Sequence, residues 1–229
     1  MALTAPPLTV PLPRVPIGSP PTGSATDAAD AAGAAEALAS WYERLLGWPV
    51  AGGPPAQLVT GVRFDVLELP ADAGTAVLRG PCGAATGPVA LMGRRMRFLV
   101  APGSADELEG LLDWLEWGGV ALDLAALGTG GRITAPTPPG HLVGPGESPQ
   151  GAAVWLRPPE QGCEALLPAL PVAGQGSGPG RGAGAAGPGL VRLVAAAATE
   201  CHRARLRRRT AAAHRIGTGN PTGGQPRFS

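Results

Sequence analysis

The chain has 229 residues, of which 36 are Gly and 27 Pro, and a formal net charge of +1; that length suits one domain of ordinary size with room for tails. The charge is unevenly placed: Met1–Leu170 carries 9 Arg against 16 acids (−7) and Pro171–Ser229 carries 9 Arg against 1 acid (+8), so the basic end either binds nucleic acid separately from the body or folds back on it at low salt. Cys82, Cys163 and Cys201 are far apart with no Cys-x-x-Cys pair, which argues against a zinc site or a disulfide framework, and no apolar run reaches the length of a membrane span or follows a basic start as in a signal peptide, so the cytoplasm is the expected location.

Met1–Asp30 is rich in Pro, Thr, Ser and Ala with almost no charge. It cannot bury enough apolar surface to offset ordering and is expected to be disordered. Ala31–Leu46 is a predicted helix, because Ala35, Leu38, Trp41 and Leu45 recur on one face. Gly47 and Trp48-Pro49 end it. Val62–Leu69 reads as a strand and Ala71–Leu78 as a short helix behind Pro70. Val89–Met92 and Met96–Ala101 read as a hairpin turning at Gly93-Arg94-Arg95. Ser104 with Glu107 three residues on forms a capping box, ahead of an amphipathic helix with Leu108, Leu111, Leu112 and Leu115 inward and a stop at Gly118-Gly119. Val120–Leu124, Arg132–Ala135 and Ala152–Arg157 are predicted strands, with Gly128–Gly131 as the turn between the first two. Glu164–Leu170 is a short closing helix.

The organisation that follows is a disordered Pro/Ala-rich segment (1–30), an α+β domain with a mixed or antiparallel sheet (31–171), a Gly/Ala linker (172–189) and a basic helix or tail (190–229). In that tail Arg203, Arg205, Arg207, Arg208 and Arg209 lie close together. They suit nucleic-acid phosphates through a salt-dependent contact, or form a solvated tail.

The order of the fragments in the body carries more than any one of them. Thr60-Gly61 through Gly74, Gly87-Pro88-Val89, Gly93–Phe98, Leu122-Asp123-Leu124, Gly130-Gly131 with Ala135-Pro136, and Trp155-Leu156-Arg157-Pro158 together resemble the N-terminal domain of bifunctional DNA primase/polymerases. This is the prim-pol branch of the archaeo-eukaryotic primases, here in its small actinobacterial form, and the resemblance spans roughly Ala35–Leu170. It implies an RRM-like catalytic sheet, DNA and nucleotides as partners, Mg or Mn as the metal, and nucleotidyl transfer to a primer. The family's pattern is Asp-x-Asp on the first strand, a His on the hairpin strand and a later Asp. This chain reads Phe64-Asp65-Val66-Leu67-Glu68-Leu69-Pro70 in the first place and Arg95 in the second, and only Asp123 falls as expected. The resemblance therefore assigns catalysis to Asp65, Glu68 and Asp123, metal to Asp65 and Asp123, and triphosphate to Arg95 with Arg97. The departures point to activity weakened or lost. The alternative is a non-catalytic nucleotide- or nucleic-acid-binding or regulatory module on the same fold.

The residues themselves leave choices open. Two-metal transfer needs carboxylates converging on ions about 3.5–4 Å apart. On a strand, positions i and i+2 share a face and i and i+3 do not, so Asp65 and Glu68 converge only if Val66 or Leu67 forms a bulge. Otherwise Asp65 is a cleft-edge acid paired with Arg63 or Arg97. Asp123, flanked by Leu122 and Leu124, is either a vestigial metal ligand or the partner of an Arg. Arg95 and Arg97 alternate onto one strand face, where their planar forks fit phosphate oxygens or stand as solvated edge charges. Trp41, Trp48, Trp114, Trp117 and Trp155 are expected in core packing rather than base stacking. Gly128–Gly131 lacks the following helix a phosphate loop needs, His141 has no evident partner, and Cys201 next to His202 is poor geometry for a metal.

Overall fold

The computed structural model describes residues 25–83, 86–139, 152–171 and 189–217. The predicted disordered segment up to residue 24, the linker 172–188 and His141 lie outside them. Helix α1 (Ala25–Leu46) starts six residues earlier than its pattern suggests. Of its predicted face, Ala35, Leu38 and Trp41 pack against the core beside the buried Tyr42 and Leu46, while Leu45 is exposed. Gly47, at a positive φ, closes the helix. Trp48 then enters the core and stacks on Tyr42, 6.1 Å between centroids.

Among the described residues, eight strands form two antiparallel sheets. β1 (Val50–Ala51), β2 (Gln57–Val59) and β7 (Arg132–Thr134) make a three-stranded sheet in that order. The larger sheet contains β3 (Asp65–Pro70), β4 (Val89–Met92), β5 (Arg95–Val100), β6 (Ala125–Leu127) and β8 (Ala153–Arg157), in the order β6-β3-β5-β4-β8. β3 and β4 both run antiparallel to β5 and so parallel to each other, joined by helix α2 (Ala71–Arg79). Helix α3 (Leu108–Trp114) carries the chain from β5 to β6 on the far side of β3.

The period-two alternation of β3 and β5 sorts their side chains between two cores. Leu67, Leu69, Met96, Phe98 and Val100 face α2, α3 and the C-terminal helix α4 (Leu190–Gly217). Val66 and Leu99 face α1, Trp48, Leu58, Phe64 and Ile133. The second core also holds a polar chain: Trp155 Nε1 donates to the Tyr42 hydroxyl (2.7 Å), which donates to the Pro136 carbonyl (2.6 Å). Trp48 Nε1 donates to Glu164 (2.6 Å). Trp114, expected in a core, is instead 72% exposed.

Four expectations shift. Val120–Leu124 is not a strand; β6 begins at Ala125, one residue beyond it. The capping box at Ser104 does not form, because α3 starts only at Leu108 and no side chain caps it. The chain leaves α3 at Glu116, at φ 63°, before the two glycines expected to stop it. The closing helix is one short 3-10 turn, Cys163–Leu166.

The largest difference is α4. Leu190, Leu193, Val194, Ala197, Cys201 and Ala204 are buried against α2, α3 and the sheet. The stretch expected as a separate tail is thus core for its first four turns. Its arginine cluster, Arg203 to Arg209, begins where the buried positions end, and Arg192 in the first turn is exposed.

Candidate functional site

The β3–β5 ladder runs in unbroken register from Asp65↔Val100 to Pro70↔Arg95. No bulge intervenes, so Asp65 and Glu68 stay on opposite faces. Glu68 sits directly across from Arg97 and diagonally from Arg95, which puts both guanidinium groups within reach of one carboxylate. Glu68 accepts from Arg95 Nε through Oε1 (3.0 Å) and from Arg97 Nε through Oε2 (2.7 Å). Burial pushes the Glu68 carboxyl up, but the hydrogen bonds and charges of Arg97 and Arg95 outweigh it and hold the group below the usual carboxylate range.

Arg95 serves two acids. Its Nη1 donates to Asp123 Oδ1 at 2.6 Å and its Nη2 to the Glu68 backbone carbonyl at 3.4 Å. Burial works against the Arg95 charge, and Asp123 and Glu68 more than restore it. Of the two openings left for Asp123, the ion pair is the one realised. Its side chain is half exposed in an irregular segment, not enclosed in an apolar strand. Arg97 has no second acid among the described residues: its Nη1 faces the Met92 thioether at 3.5 Å, a weak acceptor.

Asp65 lies on the helix face of β3 and is 1% exposed. Its Oδ2 accepts from the Ala105 N–H at 2.9 Å, ahead of α3, while Oδ1 has no partner at hydrogen-bond geometry among the described residues. Neither arginine suggested for it is its partner: Arg63 donates to the Gly47 carbonyl and Arg97 to Glu68. Burial raises the Asp65 carboxyl above its ordinary 3.8, and the Ala105 hydrogen bond only partly offsets this.

These positions bear on metal binding. Asp65 marks one end of the ladder, and Asp123 is tied through Arg95 to the other. Five residue steps separate those ends, roughly 17 Å of strand. Asp65 and Asp123 therefore do not meet, and the third acid, Glu68, is engaged by two cations. Among the described residues no group of three or more His, Cys, Asp or Glu side chains is placed to hold a metal ion. The residues present do not fit a two-metal cradle.

The Asp65 environment has a measurable consequence. Its carboxyl is raised in the folded state, so the fold binds this proton more tightly than the unfolded chain does. Stability is lost as pH rises from the ordinary Asp value of 3.8 through the raised one. Asp65→Asn cannot ionise and keeps an oxygen for the Ala105 N–H. Its urea midpoint should gain on the wild type as pH goes from about 4 to 7; a pH-independent difference would show that Asp65 is not responsible for the pH dependence.

Along α4, Arg203 pairs with Glu200 at 2.7 Å, Arg208 with Asp72 at 3.6 Å, and Arg205 donates to the Ala121 carbonyl. Arg207 and Arg209 are exposed and form no ion pair among the described residues. Cys201 is buried with its thiol pushed up to about 12, chiefly by burial and then by Asp123. Burial likewise pushes Cys163 up to about 11, so neither is an activated nucleophile. His202 packs against the Trp117 ring, centroids 5.6 Å apart. Met92 beside Arg97, and the Asp72 and Ala121 anchors of α4, are not foreseen from sequence. The α4 anchors have one signal there, apolar residues at helical spacing from Leu190 to Ala204; Met92 has none.

Comparison with protein-family models, with curated proteins and with solved structures finds no match to this chain. No helix among the described residues is long and apolar enough to cross a membrane.

Proposed function

We propose that this chain is a prim-pol-like domain that binds nucleic acid and nucleotide phosphates without catalysing nucleotidyl transfer. The resemblance in sequence order is joined by topology. β3-α2-β4-β5-α3-β6 with spatial order β6-β3-β5-β4 is a split β-α-β-β-α-β arrangement, which supports the RRM-like reading. Helices α2, α3 and α4 cover one face, and Glu68, Arg95 and Arg97 stand on the other.

One observation carries the loss of catalysis. The carboxylate on that face, Glu68, is bridged by two arginines, while Asp65 points away to the helices. What remains is basic chemistry suited to phosphate oxygens. It includes Arg207 and Arg209, projecting from a helix whose first half is anchored in the core. Held on a rigid rod, such charges present a fixed spacing to a phosphate backbone.

Anisotropy titration of a short single-stranded oligonucleotide at several salt concentrations tests this. Binding should weaken linearly in log–log form. Arg207→Ala with Arg209→Ala should lower the slope by about 1.4, at about 0.7 for each phosphate that is no longer neutralised. Salt-independent binding, or a slope the two substitutions leave unchanged, would remove α4 from the interface. A primed-template extension assay with Mg²⁺ or Mn²⁺ addresses catalysis: no extension is expected. Extension abolished by Asp65→Ala and by Asp123→Ala alike would restore the enzymatic reading.

A further inference from the structure

We infer that Glu68 acts as an internal carboxylate that keeps a phosphoryl-binding pair, Arg95 and Arg97, closed. This rests on the phosphate-binding reading above and adds its regulation. The geometry is that of an anion already in place: one carboxylate spans two guanidinium groups, with 3.0 Å and 2.7 Å to their Nε atoms. It takes only one N–H from each. Arg95 spends its Nη edge on Asp123 and a backbone carbonyl. Arg97 turns Nη1 to a thioether and gives no other oxygen a hydrogen bond among the described residues.

The two arginines therefore differ when Glu68 leaves. Arg95 keeps Asp123 as a counter-ion, so its charge stays matched. Arg97 loses its only oxygen acceptor among the described residues and becomes an uncompensated cation on a strand, with a side chain only 14% exposed. A guanidinium in that state favours an acceptor with several oxygens and more than one negative charge. A phosphoryl group supplies both, and a carboxylate does not. Glu68 is itself 18% exposed on a flexible side chain and can turn to water when such a ligand arrives. Both arms of the exchange lie on neighbouring strands of one ladder, so it needs no backbone movement. The ligand class is a phosphate monoester or polyphosphate, free or carried by a nucleotide.

The experiment is calorimetric titration of the full chain with ATP and, separately, with inorganic phosphate, for the wild type, Glu68→Gln and Glu68→Gln/Arg97→Gln. Glu68→Gln should bind ATP about tenfold more tightly, the value of one charge-assisted hydrogen bond no longer contested. The added Arg97→Gln should cancel that gain. An equal gain for inorganic phosphate assigns recognition to the phosphoryl group alone, and a gain confined to ATP assigns it to the nucleotide. No gain for either ligand in a folded Glu68→Gln chain overturns the inference. Should Glu68→Gln fail to fold, Glu68→Asp, too short to span both guanidinium groups, takes its place with a smaller gain expected and the same overturning result. Oligonucleotide binding that stays salt-dependent while ATP shows no gain sinks only the Glu68 role. An ATP gain without oligonucleotide binding sinks only the α4 interface.

Discussion

A chain cut after Pro171 is expected not to fold. In composition, everything beyond that residue reads as appendage: a Gly/Ala stretch, then arginines. In space, Leu190, Leu193 and Val194 are essentially inaccessible to solvent and close the core between α2, α3 and the sheet. At about 1.5–3 kcal/mol for each fully buried side chain, these three contribute about 5–9 kcal/mol. Whole-domain stability is about 5–15 kcal/mol, so their removal alone consumes most of it. Ala197, Cys201 and Ala204 add to the loss, and Ala73 and Val77 of α2 are left facing water. Circular dichroism melting of residues 1–171 should show no cooperative transition where the full chain shows one. Adding a peptide of residues 189–217 should restore it in part. A sharp melt from the truncated chain would mean that α4 is docked on an already stable domain, and the basic helix would then be the separable module that its composition suggests.

That contrast shows what kind of information the sequence holds. β3, α2, the β4–β5 hairpin, β7 and β8 are all legible, because each has a local signature: alternation, a Pro before a helix, a Gly-Arg turn. The opposite faces of Asp65 and Glu68 follow from strand geometry alone, and the unbroken ladder keeps them so. What is not legible depends on distant partners. Glu68 has no local feature naming two arginines 27 and 29 residues away as its ligands. Asp123 looks like an acid in a strand because Leu122 and Leu124 flank it, yet the strand starts two residues later and leaves its side chain at the surface. Composition misleads most at α4, where Ala and Arg are read as solvent-loving or neutral. Small residues at Ala197 and Ala204 let the helix lie close to α2 and α3, a packing role that hydrophobicity alone understates. Asp65 shows the reverse case. Its presence on the first strand invites a catalytic reading, while its environment is a buried junction.

That junction yields the second large effect. The chain passes from the three-stranded to the five-stranded sheet between β2 and β3, and returns between β6 and β7. Both crossings occur at one place. Thr60, fully buried, donates through Oγ1 to the Gly128 carbonyl at 2.6 Å and through its N–H to the Gly131 carbonyl at 3.0 Å. Gly61 then turns at φ +84°, its N–H bonded to the Phe64 carbonyl at 2.9 Å. A Cβ on Gly61 would stand 2.3 Å from Thr129 Cα and 2.5 Å from its nitrogen. These are backbone atoms, which no rotamer change can move. Gly119 offers the control: it has a similar φ, +75°, with nothing within 4 Å of a Cβ. Gly119→Ala should therefore cost only the left-handed conformation, about 1–2 kcal/mol. Gly61→Ala adds the collision, a further 1–3 kcal/mol typical of overpacking, for about 2–5 kcal/mol in all. Urea unfolding of the two variants separates the two effects, and the excess at Gly61 measures how rigidly the two sheets are locked together. Equal losses would mean that the 128–131 loop yields, and that the sheets, with Asp65 beneath their joint, are free to shift against each other.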